Sequence, residues 1–565
     1  MTDSVVYSDR IGYSRVPSSD IDKDAEKSHI EGETDGSTGR KISRFRSALP
    51  QVLSVTAKNF ILLDLGMTLA FSTIVVPVLL NNKDPRGLSF NESQATWFAS
   101  LPMLCQPLGS ALSGLISGPL GRKKSLMLVN IPQILGWLML HSATSVEIMY
   151  LAAAIQGLGS GFMDAPVLTY VGEICEPSLR GILISYSLQF CSAGFFLQCL
   201  LGSVTTWRNV AFISLFFPAT AFLCISQIPE TPMWLLSKNR TRDAEKALCW
   251  LRGWVSPGDV AEEFSRLVEA SNNAQYRHQT ETKKPETNSH QVSGNTQSIV
   301  TCPSSRPPIP DPLVELHSPK LSFREKAKDL LRPEILRPML VIMTMNFFYL
   351  GSGFPAFKTY MVLLFQRIRV PMNANWASVC VSSAIIIGHL VLMLSVKWLG
   401  KRRIALISTF CVAFFDLAIA VHVNFQTAIE DAFGASANWV LFSYFIILTL
   451  TVSFGLGPVP WMLMSEIFPF RGRSFASGIC AALYYITSSL VAKTFLSILN
   501  LLGVPGSYCL FGTVGMLGFI YAYLYLPETE GKTLEDIEDI INIVIDNADK
   551  NKLVMDEFEL FLFLP

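Results

Sequence analysis

The side chains best placed to do chemistry in this chain bind and pair, and none belongs to a reacting set. No GxSxG elbow and no phosphate-cradling Walker loop occurs. The eleven cysteines form no CxxC pair and no Cys/His cluster, and most sit in apolar runs. The sequence therefore predicts no enzyme, no cofactor and no metal. What stands out is a repeated pair of opposite charges. Glu173 is followed seven residues later by Arg180, and Glu466 likewise by Arg473. A carboxylate ending one helix and an arginine starting the next can bridge neighbouring helices, and Arg122 and Arg402 are further donors. Gly455-Leu456-Gly457-Pro458-Val459-Pro460 must interrupt its helix, because two prolines remove two amide donors and clash with earlier carbonyls. Trp461 then offers a flat apolar face and one N–H. Gly351-x-Gly353-x-Pro355 is a second flexible point, flanked by Tyr349 and Tyr360.

The elements that must position these groups are membrane helices. Of 565 residues, 50% are hydrophobic and only 16% charged, against about 25% charged in soluble domains. Mean hydropathy is +0.37. This excludes a disordered or fibrous protein and an ordinary soluble enzyme. Basic and acidic residues balance at 45 each, so no field recruits nucleic acid. Runs long enough to cross a bilayer as helix lie near 58–80, 95–117, 125–144, 148–171, 181–203 and 208–228, then near 338–362, 375–396, 404–423, 438–463, 475–498 and 507–526. The fold class is an all-α membrane protein with twelve spans. Basic loops (Arg122 to Lys124, Lys397 to Arg403, Arg471 and Arg473) fall on one side, predicting a cytosolic side that also holds both termini. Asn91-Glu92-Ser93 is an N-glycosylation sequon on the opposite side. No cleaved leader is expected, because residues 1–57 are polar.

The expected organisation is a cytosolic tail over 1–57, six spans over 58–228, a cytosolic loop over 229–335, six spans over 336–526 and a tail over 527–565. Within the loop, Ala244, Leu248, Leu251, Phe264 and Leu267 amid charges predict amphipathic helix, and the polar stretch 271–320 reads as disordered. Three signatures recur in the same order. Gly121-Arg122-Lys123 returns as Gly400-Lys401-Arg402, Glu173-Ile174 with Arg180 as Glu466-Ile467 with Arg473, and Pro229-Glu230-Thr231 as Pro527-Glu528-Thr529. Two halves in one orientation mark a parallel-repeat transporter, whose halves rock around a site at the midplane.

These motifs carry a family resemblance. Gly455-x-Gly457-Pro458-x-Pro460-Trp461, Glu466-x-Phe468-Pro469 with Arg473, Pro229-Glu230-Thr231-Pro232-x-Trp234-Leu235 and Pro527-Glu528-Thr529-Glu530-Gly531 resemble the sugar transporters of the major facilitator superfamily over about residues 55–540. Gly159-x-Gly161-Phe162-Met163-Asp164 and Ala95-Thr96-Trp97-Phe98 are similar to its insect facilitated trehalose transporter branch. The resemblance implies the fold of that superfamily and a sugar site lined by Trp461. It implies a gate of Glu173, Arg180, Glu466, Arg473, Arg122 and Arg402 that locks the cytosolic face, and an outer gate at Tyr360 hinged on Gly353 and Pro355. Gly457, Pro458 and Pro460 form the second hinge.

The pocket departs from the family pattern. The Asp before Gly-Arg is Gly118, its arginine partner is Ala153, and the amides of the seventh and eleventh spans fall at Tyr349, Leu350, Tyr484 and Tyr485. Gln189 stands beside the position of the fifth-span glutamine. Substrate contacts are therefore expected from Trp461, Gln189, Tyr349, Tyr484 and Asp164. Asp164 lies nine residues before Glu173, about 13 Å above the helix end, where an ionisable group is a functional candidate. It either binds substrate, pairs or carries a proton, or is held by Ser160 and Tyr170. His389 reads as a satisfied core histidine, and Lys358 as a residue that snorkels to the outer surface. The Phe71-Ser72-Thr73 stretch has no acid, and Asp64 is placed near the cytosolic end of the first span, so facilitated diffusion is favoured over proton symport. The expected function is carriage of a sugar, trehalose or a hexose, across the plasma membrane by alternating access. Its partners would be the sugar and the lipid bilayer. The alternatives are a carrier of another polyol or organic solute, or a non-transporting sensor.

Overall fold

Apolar runs of this length have no partner for a free backbone N–H in hydrocarbon, and the chain answers with helix throughout its spans. The computed structural model describes residues 44–82, 84–281, 333–434, 436–464, 467–468 and 473–530. The first span is Arg44–Leu80, the second Glu92–Leu120 and the third Arg122–Ser142. The fourth runs through Val146–Phe162 and Asp164–Ile174 with a break at Met163, the fifth is Pro177–Val204, and the sixth is Trp207–Ser214 followed by Phe216–Gln227. The seventh breaks between Pro333–Gly351 and Phe354–Arg367, the eighth is Ala374–Leu399 and the ninth Lys401–Asn424. The tenth is Ser436–Thr451, a π-turn over Val452–Leu456, and Pro458–Met464. The eleventh and twelfth share one helical run, Arg473–Tyr525, folded back at Gly503 with φ 67° and Pro505 just beyond. Large apolar side chains such as Leu115, Trp398 and Leu501 point outward, as a lipid-facing surface requires. Twelve spans in two sets of six result.

Close approach of backbones holds the spans together. A methyl added at Gly161 would meet the Gln106 carbonyl, and one at Gly109 the Leu158 carbonyl, so the second and fourth spans touch along a small-residue seam.

Two boundaries differ from the sequence expectation. The first helix starts at Arg44, not near 58, because its extra turns are docked. Arg46 Nε donates to the Gly253 carbonyl at 3.1 Å, while Ser47 Oγ and Gln51 Nε2 donate to Glu176 at 2.9 and 3.0 Å. Between the halves, helices Pro232–Ser237, Thr241–Leu251 and Ala261–Glu281 follow one another. The last carries helix through 271–281, the start of the stretch expected to be disordered, since no proline interrupts it before Pro285. The remainder, 282–320, lies outside the described residues, as does the tail from 531 onward.

The two halves meet along three pairs of spans: first with seventh, second with eleventh, and fifth with eighth. Their mutual hydrogen bonds gather at the end that carries Asn91. Thr73 Oγ1 donates to the Lys358 carbonyl at 2.6 Å, Asn500 Nδ2 to Glu92 at 3.0 Å, Lys493 Nζ to Thr96 Oγ1 at 2.9 Å and Ser489 Oγ to the Ser100 carbonyl at 3.0 Å. Toward the opposite end, which carries Gly121 and Gly400, no hydrogen bond or ion pair joins the halves among the described residues. The bundle is zipped at its Asn91 end.

Candidate functional site

The site is where the zipper stops. Its last contact is Tyr485 on the eleventh span, whose hydroxyl donates to Asp164 at 3.3 Å from each carboxylate oxygen. Asp164 opens the second helix of the fourth span, where a carboxylate is favoured by the free N–H groups of the helix start. Its hydrogen-bond partners are therefore Ser110 of the second span and Tyr485 of the other half. Tyr170 instead donates to the Pro229 carbonyl at 3.0 Å, and Ser160 accepts from Gln133 at 3.0 Å. The two neighbours proposed for Asp164 are engaged elsewhere.

Around Tyr485 lies a cluster of rings. Trp461 packs edge-on to Tyr484 at 5.1 Å and tilted to Tyr485 at 6.1 Å, and Tyr349 lies parallel to Tyr484 at 6.3 Å. Three different spans thus bring four aromatic side chains together, with three phenolic hydroxyls where amides were expected in the family. Trp461, Tyr484 and Tyr485 are part-exposed and Tyr349 is buried. Gln189 is also part-exposed and makes no hydrogen bond to the described residues.

The glycine–proline run positions Trp461 through a π-turn rather than a gap. Ser408 of the ninth span accepts the Leu456 N–H at 2.7 Å and donates to the Thr451 carbonyl at 2.6 Å, so one hydroxyl bridges an amide and a carbonyl of the turn. A methyl at Gly457 would touch the Tyr349 ring. In the seventh span the break falls at Gly353, with φ 70°, and Pro355 follows within the first turn of the next helix. Tyr360 is buried, donates to the Ala492 carbonyl at 2.9 Å and stacks on Phe495 at 5.5 Å.

At the Gly121 end the repeated motifs build the same device twice. Glu230 accepts the backbone N–H groups of Arg122 and Lys123 at 3.1 and 3.0 Å, and Glu528 those of Lys401 and Arg402 at 3.0 and 3.1 Å. Each carboxylate sits on a helix N-terminus, where the dipole favours it. Burial pushes the Glu230 carboxyl above its ordinary range, against these donors. Arg122 also pairs with Glu173 at 2.9 Å, within the first half. Lys401 pairs with Glu530, and the Arg402 guanidinium donates to the Tyr523 carbonyl at 2.8 Å, both within the second half. Glu466 and the side chains of Arg180 and Arg473 lie outside the described residues. The indole N–H of Trp234 donates to the Gly118 carbonyl at 2.9 Å, at the position where the family carries an Asp.

Several working residues gave no sequence signal. Arg252 of the loop joins Glu263 at 2.6 Å and Glu176 at 3.6 Å, clamping the loop helices to the start of the fifth span. At the Asn91 end Asp84 takes Arg208 at 3.1 Å and the Trp207 indole at 3.1 Å. Burial pushes the Asp84 carboxyl up, but Arg208, the Leu88 N–H and Trp207 outweigh it and hold it below the usual aspartate range. Only the contact order of distant loops reveals such pairs. Asn91 caps the second span through a reciprocal box with Gln94, at 2.7 and 2.9 Å. Two placements correct the sequence reading. Lys358 is part-exposed and turns its ammonium over rings of both halves, Phe195 and Phe354, at 5.9 and 5.6 Å from the ring centres. Asp64 is fully buried within the bundle and accepts the Trp137 indole N–H at 2.7 Å. His389 bonds Ser192 at 2.6 Å across the halves. No group of three or more His, Cys, Asp or Glu among the described residues could hold a metal.

Comparison with known proteins matches this chain to a family. Residues 51–301 and 314–541 match the family model described as "Sugar (and other) transporter". The facilitated trehalose transporter Tret1 of Aedes aegypti is 27% identical over 86% of this chain, and that of Culex quinquefasciatus 27% identical over 86%. The chain spans 54% of the length of the first and 85% of the second. The fold resembles that of the proton:xylose symporter XylE bound to 6-bromo-6-deoxy-D-glucose, with TM-score 0.62 and 18% identity over 87% of this chain and 99% of that one. The inward open conformation of XylE from E. coli gives 0.63 and 17% over 86% and 98%.

Proposed function

We propose that this chain, which belongs to the sugar (and other) transporter family, carries a sugar or similar polyhydroxylated solute across the plasma membrane by facilitated diffusion. Trehalose, named for its relatives, and hexoses are the first substrates to test. The observation that carries the reading is the cluster of Trp461, Tyr349, Tyr484 and Tyr485 lying at the inner limit of a one-sided zipper. Rings stack on the C–H faces of a sugar, and phenolic hydroxyls and Asp164 hydrogen-bond its hydroxyls. With both termini cytosolic, the arrangement is an inward-facing one, closed outside by the second and eleventh spans. Release of that zipper and approach of the halves at the Gly121 end complete the cycle. The charges there, Arg122, Glu173 and Arg180 of the first half with Arg402, Glu466 and Arg473 of the second, latch the second state by pairing across the halves. Surface pairs contribute only about 0–1 kcal/mol each, so several must act together on an equilibrium of a few kcal/mol.

The test is uptake of labelled trehalose, glucose and a polyol by cells expressing the chain, at two external pH values, beside Trp461→Ala. Saturable uptake of one solute, indifferent to pH and reduced at least tenfold in the variant, is expected. No uptake of any, with protein present at the surface, would overturn the reading.

A further inference from the structure

The seventh span carries a cation that the sugar reading does not use. Lys358 lies nine residues before Arg367, the end of its helix, which places it about 13 Å inside the Asn91 end. Its ammonium sits over one ring from each half, Phe195 on the fifth span and Phe354 on the seventh. Cys191, His389 and Tyr484 lie within reach of its field. Among the described residues no carboxylate comes within ion-pairing distance of it and none of their polar atoms bonds its Nζ. The two ring contacts are near the 6 Å limit for cation–π attraction and leave the charge without a counter-ion. His389 already holds Ser192. Asp164 lies ten residues from the Gly121 end of its own helix, and its carboxylate is engaged by Ser110 and Tyr485. A lysine inside a membrane bundle without a counter-charge is costly, and such residues mark substrate paths.

We infer that Lys358 is the specificity-determining anchor for an anionic group on the transported solute, a carboxylate or phosphate carried on a polyhydroxylated skeleton. The inference rests on the carrier reading and narrows its substrate class. The ammonium is a compact point charge with three donors, suited to either oxyanion. It stands between the halves, so either rocking state brings it to the same solute. The skeleton then falls among Tyr484, Tyr349 and Trp461, on the side away from the zipper. The same geometry explains why tyrosines serve where amides would select a neutral hexose: the charge supplies the selection.

The experiment uses the purified full chain in proteoliposomes at zero membrane potential. Initial uptake of labelled glucuronate, glucose 6-phosphate, glucose and trehalose is compared for wild type, Lys358→Gln and Lys358→Arg. Expected is uptake of glucuronate or glucose 6-phosphate at least tenfold faster than glucose, reduced at least tenfold by Lys358→Gln and kept within threefold by Lys358→Arg. Glucuronate alone assigns a carboxylate, and glucose 6-phosphate alone a phosphate. Wild-type uptake of a neutral sugar that neither anion enters with nor competes against would overturn this inference and leave the carrier reading standing. Equal anion uptake by wild type and Lys358→Gln would overturn it too. Entry of none of the four would sink both. Competition on the wild-type protein decides the matter even if a variant fails to fold.

Discussion

Gly121 and Gly400 show how much one absent side chain decides. Both have backbone conformations, φ 97° with ψ 164° and φ 77° with ψ 157°, that residues with a Cβ avoid. A methyl at either would meet the carboxylate of Glu230 or Glu528 that caps the following helix. Gly121→Ala therefore costs about 1–3 kcal/mol from backbone strain alone and displaces Glu230 as well. It lowers the melting temperature of the purified protein. Gly118→Ala, whose methyl meets nothing within 4 Å, leaves melting unchanged or slightly raised. Equal melting of both variants and wild type would contradict the assignment. These glycines were legible in the sequence because the Gly-basic-basic motif occurs twice, as Gly121-Arg122-Lys123 and Gly400-Lys401-Arg402. The carboxylates that need them were legible only as a second repeat, more than a hundred residues away. The direction of Lys358 was not legible, because depth in a span does not say which neighbour a side chain faces.

At the scale of the element, the tenth span is held by a hydroxyl from the ninth. Ser408→Ala removes the side-chain acceptor of the Leu456 N–H in a buried turn, a cost of about 0.5–1.5 kcal/mol. It also loosens the segment that carries Trp461. The expected result is a lower melting temperature and a raised KM for uptake, with Ser408→Thr keeping both near wild type. A Ser408→Ala protein with unchanged melting and KM would show that the π-turn satisfies itself. The positions of the spans were readable from hydropathy, including the third, which carries the buried polar residues Asn130 and Gln133. The form of the interruption in the tenth span was not, because two prolines demand a break but do not say which side chain repairs it. The early start of the first helix was hidden for the same reason. Its added turns mix polar and apolar residues, and their partners, Glu176 and Gly253, lie far along the chain.

At the scale of the whole molecule, the hydrogen bonds that join the two halves gather, among the described residues, toward the Asn91 end. The pairs Glu92–Asn500, Thr96–Lys493 and Ser100–Ser489 descend along the second and eleventh spans to Asp164 and Tyr485. An alternating-access carrier must part this seam in every cycle, and a static scaffold or sensor need not. The measurement that tests this most directly is uptake by the S100C/S489C double variant in proteoliposomes, before and after oxidative cross-linking and after reduction, with each single variant carried through the same treatment. The account predicts that cross-linking cuts uptake at least tenfold in the double variant alone and that reduction restores it. Undiminished uptake by fully cross-linked protein would mean that the seam never opens, and that solute does not cross by the rocking of these halves.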